Sequence, residues 1–162
     1  MEFKSPAKRI VNFQDVTEYQ QRPIFQEYLD FLADLQKVPP SLMQSIISKK
    51  ISDTPDTPKF DIFKPYFQRL ETLLAETPPI QGQTMRYGNR AFKDWYEKAN
   101  AETSAFLDSI LPEKIRGAKG ELFRYIAESW GSNVRIDYGT GHEMSFMYFC
   151  WALYRLGFCQ YG

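Results

Sequence analysis

The run V-R-I-D-Y-G-T-G-H-E at 134–143 combines side chains that could bind an anion. It contains a cation, a hydroxyl, two glycines and the single histidine of the chain. Glycines let a backbone approach a ligand closely, and the helix predicted after them would offer free N–H groups and the positive end of its dipole. The spacing therefore predicts a phosphate-binding loop in front of a helix.

A structural role would explain part of the same run. Thr140 is predicted to be an N-cap, and Glu143 three residues later would complete a capping box. His142 has no Cys or His cluster near it in the sequence, so it lacks metal-ligand spacing and is equally compatible with a hydrogen bond in the first helical turn. These residues alone do not separate a ligand site from a capped turn.

A second informative run, R-Y-G-N-R-A-F-K-D-W-Y, lies at 86–96. It begins with a Gly-Asn turn signal and continues into a helix on which Phe92, Trp95 and Tyr96 would share one face. The rigid break E-T-P-P at 76–79 precedes it. Both runs are expected to position side chains in front of or within helices.

These motifs, in this order, resemble the phosphotyrosyl phosphatase activator family, also called the serine/threonine-protein phosphatase 2A activators. The resemblance rests on E-T-P-P at 76–79, R-Y-G-N-x-A-x-x-x-W-Y at 86–96 and R-I-D-Y-G-T-G-H-E-x-x-F at 135–146, with a weaker match at 6–10. It implies an all-helical protein that binds the catalytic subunit of type 2A protein phosphatases and activates it with ATP and Mg²⁺. It also implies peptidyl-prolyl cis-trans isomerase activity.

Carried over to matching positions, the resemblance implies ATP contacts from Arg135, Thr140 and Gly141. A guanidinium and a hydroxyl suit phosphate oxygens, and a residue without a side chain lets the nucleotide come close. The other residues of the motif are expected to support the ATP loop: Asp137, Tyr138, Gly139, His142 and Glu143. Candidates for partner binding are Arg86, Tyr87, Gly88 and Asn89. The arginines at 86 and 90 could equally pair with nearby acids such as Glu76 or Asp94.

No catalytic residue can be named for the isomerase, because a pocket that favours a twisted amide needs no covalent chemistry. No metal ligand is predicted in this chain, since the resemblance places the Mg²⁺ ligands in a C-terminal half beyond Gly162. We therefore expect impaired activation, and self-association through apolar faces that the missing half would cover, above all at 146–158. The alternatives are a non-catalytic helical module that binds the phosphatase catalytic subunit, or an unrelated helical domain, which would make three ordered matches coincidental.

Helical periodicity dominates the chain, so the predicted class is all-α. Apolar stripes at helical spacing cover 24–38, 42–47, 63–74, 92–99, 106–110, 122–126 and 146–157. Residues 131–139 are expected to be irregular or extended, and the proline-broken segment 51–59 is expected to be an exposed loop. A length of 162 residues with 43% hydrophobic content predicts one helical domain, 1–162.

Composition excludes several classes of partner. The 20 basic and 20 acidic residues cancel, which argues against a nucleic acid partner. No apolar run approaches the roughly 18 residues of a membrane helix, and the start has no signal-peptide core. We therefore expect a soluble cytoplasmic protein, with the nucleus as an additional location. Cys150 and Cys159 are expected to be reduced thiols, and most of the 13 Phe, 10 Tyr and 3 Trp residues to pack in the core.

Overall fold

The computed structural model describes residues 3–4, 6–37, 62–82 and 88–158. Within these ranges the regular elements are helices, which confirms the prediction of an all-α protein. A single isolated bridge pairs Ser132 with Asp137. A 3₁₀ helix covers Glu113–Ala118. The α-helices are α1 (Phe13–Gln20), α2 (Pro23–Leu35), α3 (Lys64–Glu76), α4 (Ala91–Ile110), α5 (Lys119–Ser129) and α6 (Thr140–Arg155).

The chain forms two compact units. One contains Met1–Ser5 and Pro55–Gly162, and the other contains Pro6–Thr54. The single domain 1–162 stays a prediction. The expected stripe at 42–47, the whole expected loop at 51–59 and Cys159 lie outside the described residues.

The unit formed by residues 6–54 contains α1, which periodicity did not predict because this helix buries no residue. Its start is fixed by a capping box. Asp15 N donates to Asn12 Oδ1 at 3.0 Å, and Asn12 N donates back to Asp15 Oδ2 at 3.0 Å. Backbone hydrogen bonds from Val11 and then Asn12 lower the pKa of Asp15. Helix α2 begins at Pro23 and ends before Pro39, as predicted.

The larger unit packs its helices in sequence around one core, with α3 against α4, α4 against α5, and α5 against α6. The largest fully buried apolar side chains are Leu73, Leu107, Leu122, Ile126 and Phe149. Trp95 and Trp151 are also buried, which confirms their predicted place in the core, whereas Phe67, Tyr125 and Phe146 are half-buried against it.

Helix α6 is shorter than its apolar stripe predicts. It ends at Arg155, and Gly157 then adopts a positive φ of 71°, a conformation that suits glycine at the end of a helix. Of the stretch 146–158 that was expected to present apolar surface, Phe149, Trp151 and Leu153 are buried, whereas Tyr154 is exposed. The apolar surface of α6 is therefore split between the core and solvent.

A buried hydroxyl pair joins α3 to α4. The Thr103 hydroxyl donates to the carbonyl of Ala99, so the hydroxyl 2.7 Å away on Tyr66 must donate to Thr103 Oγ1. Tyr66 also stacks on Phe106 at 4.3 Å between ring centroids. Burial raises the pKa of Tyr66 well above its usual value, because the phenolate would lose its hydration.

Tyr66→Phe should lower the free energy of unfolding by about 1 kcal/mol at neutral pH, because it leaves the buried Thr103 hydroxyl without its donor. At high pH the stability difference between the wild type and the variant should shift in favour of the variant. A phenol whose folded pKa is raised keeps its contribution below about pH 10 and loses it as the pH rises further, because only the unfolded chain ionises readily. Denaturant titrations should therefore show that the free energy of unfolding falls more for the wild type than for Tyr66→Phe between pH 7 and pH 11.

Candidate functional site

The loop at 131–139 joins α5 to α6 and is irregular, as predicted. Its two ends are held together, since Ser132 N donates to the carbonyl of Asp137 at 3.0 Å. The turn between them is closed by Ile136 N donating to the Ser132 carbonyl at 2.7 Å, and by Arg135 N donating to Ser132 Oγ at 3.1 Å. Ser132 thus stabilises the loop through three hydrogen bonds, although it belongs to none of the sequence motifs.

Two backbone positions in this loop have positive φ. Gly131 has a φ of 111°, and a Cβ there would lie 3.0 Å from the carbonyl of Asp137, so both conformation and space require glycine. Ile136 has a φ of 54°, which is costly for a β-branched residue. Such strain persists only where surrounding contacts impose it, and it is often found at functional sites.

A polar pocket of about 430 Å³ opens where this loop meets α6. Arg135, Thr140 and Gly141, predicted to contact ATP, all line it. Of the residues predicted to support the loop, four line the pocket as well: Asp137, Tyr138, Gly139 and His142. The fifth, Glu143, lines a separate apolar cavity with Phe67 and Phe146.

The predicted capping box at the start of α6 is wrong. Gly139 occupies the N-cap position in extended conformation, Thr140 is the first helical residue, and no side chain caps the helix. The backbone turns one residue earlier than the T-x-x-E spacing suggests. The hydroxyl of Thr140 is thus not used to cap the helix, and the first N–H groups of α6 have no side-chain acceptor, which suits an anion at this end.

Arg135 is held beside the pocket by a carboxylate. Its Nε lies 2.9 Å from Asp137 Oδ2, while 70% of its side chain stays exposed. An arginine held through Nε still has its two terminal nitrogens free to donate to phosphate oxygens. Asp137 therefore orients the guanidinium of Arg135.

Gly139 and Gly141 have no structural need to be glycine. Gly139 is extended at a φ of −158°, Gly141 lies in the first turn of α6, and a Cβ on either residue would meet no atom within 4 Å. Both line the polar pocket. The space that their missing side chains leave is therefore part of the pocket, which is what a bound phosphate would require.

His142 connects the start of α6 to the end of α5. Its Nδ1 contacts the carbonyl of Glu128, and because a carbonyl can only accept, Nδ1 carries the hydrogen. Its ring stacks on Tyr138 with 5.4 Å between the ring centroids. These contacts support its predicted role in holding the loop.

Substitution of His142 by asparagine or by glutamine should distinguish the contribution of this hydrogen bond from that of the ring stacking. In His142→Asn the side-chain NH₂ falls near the position of Nδ1, whereas in His142→Gln it reaches towards Nε2. Both variants lose the stacking on Tyr138, so we expect His142→Gln to be less stable than His142→Asn by about 1 kcal/mol. Equal denaturation midpoints for the two variants would show that the Glu128 contact does not hold the loop.

The R-Y-G-N motif contacts the same loop through Gly88. Gly88 N donates to the carbonyl of Ile136 at 3.1 Å, and a Cβ on Gly88 would lie 2.7 Å from Ile136 Cγ2. Asn89 Oδ1 accepts from Ile80 N at 3.1 Å and from Ala91 N at 3.0 Å, while its Nδ2 donates to the Ile80 carbonyl at 2.9 Å. Asn89 thus attaches the segment after E-T-P-P to the start of α4.

An apolar cleft of about 490 Å³ lies between the three motifs. Its walls include Leu74, Pro79, Phe92, Trp95, Trp130 and Ile136. Asp137 and Tyr138 line both this apolar cleft and the polar pocket. Gly88 and Asn89 have structural roles here, and partner binding through them stays a prediction. Arg86 and Tyr87 lie outside the described residues. Glu76 pairs with Arg69, and among the described residues no ion pair joins it to Arg90.

The residues present fit a phosphate-bearing nucleotide, because a cation, a hydroxyl and open glycine positions line one pocket at a helix N-terminus. They do not fit Mg²⁺. The described ranges contain no group of three or more His, Cys, Asp or Glu that could hold a metal, and Asp137 Oδ2 is taken up by Arg135. In the same ranges, no helix has the length and apolar character needed to span a membrane.

The described residues form a helical protein with a polar pocket beside an apolar cleft. The family model described as Phosphotyrosyl phosphate activator (PTPA) protein matches residues 6–162, and the chain belongs to this family. It is similar to Serine/threonine-protein phosphatase 2A activator 1 of Eremothecium gossypii, at 33% identity over 96% of this chain and 41% of the relative. The corresponding protein of Schizosaccharomyces pombe is 33% identical over 96% of this chain and 46% of its own length.

A solved structure has the same fold over nearly the whole chain. The crystal structure of the PP2A phosphatase activator Ypa1 PTPA1 superposes with a TM-score of 0.80 and 29% identity, covering 96% of this chain and 49% of that one. The chain therefore spans less than half the length of these relatives, and the helical class agrees with theirs.

Proposed function

We propose that this chain acts on a type 2A serine/threonine protein phosphatase as an ATP-dependent activator that binds the catalytic subunit. The relatives are named as activators of phosphatase 2A, and the family match covers residues 6–162. The observation that carries the ATP part is the polar pocket, in which a held guanidinium, an uncapped helix start and two glycines without structural need come together.

The chemistry expected of these residues is binding and orientation. Arg135 would neutralise phosphate charge, Thr140 would donate its hydroxyl to a phosphate oxygen, and the first N–H groups of α6 would complete the anion site. ATP would supply the phosphoryl chemistry when bound. Mg²⁺ dependence remains part of the proposal, with ligands that the described residues do not supply.

The test is reactivation of an inactive type 2A catalytic subunit by this chain, with ATP and Mg²⁺, with each alone, and with neither. We expect activation that requires ATP and is weaker than that produced by a relative of full length. Binding to the catalytic subunit without any ATP requirement would favour the alternative, a non-catalytic helical module. Failure to bind the subunit at all would exclude both.

Gly141→Ala should separate folding from nucleotide binding. Because its Cβ would point into open space within the first turn of α6, the substitution should raise the free energy of unfolding by up to about 1 kcal/mol. The same methyl group would crowd a bound phosphate and weaken ATP binding by about tenfold. A calorimetric titration with ATP measures the affinity, and a denaturant titration of the same sample measures the free energy of unfolding. Unchanged ATP affinity would contradict the assignment of Gly141.

We also propose the isomerase activity that the family resemblance implies. The support is indirect, since an apolar cleft next to the loop could hold a prolyl peptide, and no residue is assigned to catalysis. Turnover of a prolyl peptide in a protease-coupled assay tests it. The cytoplasmic location and self-association stay predictions.

A further inference from the structure

The start of α1 exposes an apolar patch. Phe13 is 88% exposed, the highest value among the large apolar side chains of the described residues, and Val11 and Ile10 are 77% and 41% exposed. Asn12 is extended, with a φ of −138° and a ψ of 177°, so Val11 and Phe13 lie on the same side of the backbone. Single exposed apolar residues are ordinary, whereas neighbouring ones on one side form a patch of the kind that marks an interaction site.

The backbone beneath this patch is fixed by hydrogen bonds. Asp15 Oδ2 accepts from Val11 N at 2.8 Å and from Asn12 N at 3.0 Å, and Asp15 N donates to Asn12 Oδ1 at 3.0 Å. The segments near a chain terminus are usually mobile unless such bonds hold them. Because the conformation of the patch is set before a partner arrives, its binding costs less conformational entropy. These bonds therefore present the apolar side chains in a form ready for docking.

Two cations precede the apolar patch in the chain. Residues 6–14 contain Lys8 and Arg9 and no acidic residue. Both side chains are exposed, and within the described part of the chain neither forms an ion pair. The nearest acid, Asp15, accepts hydrogen bonds from the backbone instead. The segment thus combines an apolar patch with positive charge, and its complement is an apolar groove with an acidic rim.

We propose that residues 8–13, the N-terminal arm, dock in an apolar groove with an acidic rim on the type 2A catalytic subunit. Phe13 and Val11 enter the groove, and Lys8 and Arg9 lie opposite the acidic rim. Aromatic side chains buried at the centre of an interface, with charges around them, commonly dominate the binding energy. This inference deepens the proposed function and rests on it only for the identity of the partner. The contact is separate from the polar pocket and the apolar cleft, since the arm lines neither.

An anionic membrane surface is another target that basic and apolar residues could reach. Lipid recognition by a basic segment takes about 4–8 Lys or Arg residues, whereas the arm contains two. Helix α1, which follows the arm, has 8 residues and contains Asp15 and Glu18, so it lacks the basic polar face of a helix that lies on lipid. A protein groove therefore fits the arm better than a lipid surface.

The first test compares binding of the catalytic subunit by the wild-type chain and by Phe13→Ser, measured by biolayer interferometry. We expect Phe13→Ser to weaken binding by about tenfold, because an aromatic side chain is no longer buried at the interface. Its denaturation midpoint should equal that of the wild type, since Phe13 is almost fully exposed. Leu29→Ser is the matched control, because Leu29 is 39% exposed in the same unit and lies outside the arm. Equal affinities of the wild type and Phe13→Ser would overturn the inference.

Charge reversal tests the acidic rim. Lys8→Glu combined with Arg9→Glu should lower the association rate constant by about tenfold at low salt, because charges at a rim act mainly on the rate of encounter. The rate constant of this variant should also fall less steeply with added salt. Lys37→Glu is the control, since Lys37 is an exposed lysine of the same unit that pairs with Asp34. A rate constant as high as that of the wild type would contradict the acidic rim and overturn the inference.

Reactivation assays separate this inference from the proposed function. If binding depends on Phe13 and no reactivation occurs, the proposed function fails and the docking assignment stands. If the wild type and Phe13→Ser reactivate the subunit equally at a subsaturating concentration, the inference fails and the proposed function stands. Absence of any binding by the wild type excludes both. Binding to phosphatidylserine vesicles that Phe13→Ser abolishes, with unchanged affinity for the subunit, would assign the arm to a membrane and overturn the inference.

Discussion

Replacing Arg135 with alanine should weaken ATP binding by about ten- to a hundredfold, since charge-assisted hydrogen bonds contribute about 1.5–3 kcal/mol. The guanidinium is the cation that the polar pocket offers within its described lining, and its orientation is set by the bond from Nε to Asp137. Its removal also leaves the Asp137 carboxylate unpaired beside the phosphates, which adds repulsion.

Companion variants separate these two effects. Arg135→Lys keeps the charge but loses the planar guanidinium with its paired N–H donors. Its ATP affinity should therefore lie between that of the wild type and that of Arg135→Ala. Adding Asp137→Asn to Arg135→Ala removes the repulsion and should recover part of the loss. Arg116→Ala is the control, because Arg116 pairs with Glu113 on the surface and does not line the pocket. Isothermal titration with ATP measures all four, and equal affinities would exclude a phosphate role for Arg135.

Much of the fold follows from local sequence patterns. Helices α2 to α6 appear where apolar side chains recur at helical spacing, and Pro23 and Pro65 lie in first turns, where a missing N–H costs little. Helix α1 escaped this pattern because it buries nothing, although Asn12 and Asp15 carry the spacing of a capping box.

The sequence supplies the residues of the candidate site but not their arrangement. Motif letters located Arg135, Thr140 and Gly141, and the structure brings all three to one pocket. The sequence could not show which backbone turn starts α6, since Gly139 and Thr140 are both acceptable N-caps and tertiary contacts decide between them.

Contacts between distant segments were also beyond the sequence. Ile136 reads as an ordinary apolar residue, yet its positive φ and its contact with Gly88 connect two motifs that are far apart in the chain. Trp130 reads as the end of a helix stripe, and only the fold shows that it lines the apolar cleft together with Asp137. A site formed by distant residues appears only once the fold is known.

Gly88→Ala should lower the free energy of unfolding by about 2–3 kcal/mol, because the new methyl group has no room. Its Cβ would lie 2.7 Å from Ile136 Cγ2 and 2.9 Å from the Ile136 carbonyl oxygen, and the second of these is backbone. Gly88 N donates to that same oxygen, so the clash cannot be relieved without breaking the bond that joins the two motifs.

The matched control is Gly120→Ala. Gly120 lies in α5, and a Cβ there meets no atom within 4 Å, so this substitution should raise stability by up to about 1 kcal/mol through helix propensity. The two glycine variants are thus expected to change the free energy of unfolding in opposite directions in the same denaturant titration. Equal effects would mean that Gly88 does not pack against Ile136.

The consequence of Gly88→Ala should extend to the ligand sites. Ile136 lies between Arg135 and Asp137 in the chain, so a displacement of Ile136 moves the guanidinium and the carboxylate that line the polar pocket. We therefore expect weaker ATP binding in Gly88→Ala, although Gly88 does not line that pocket. Ile136→Gly removes the Cγ2 contact and the strain of a positive φ, so adding it should recover part of the loss in stability. A double-mutant cycle with no coupling between positions 88 and 136 would show that the two motifs act independently.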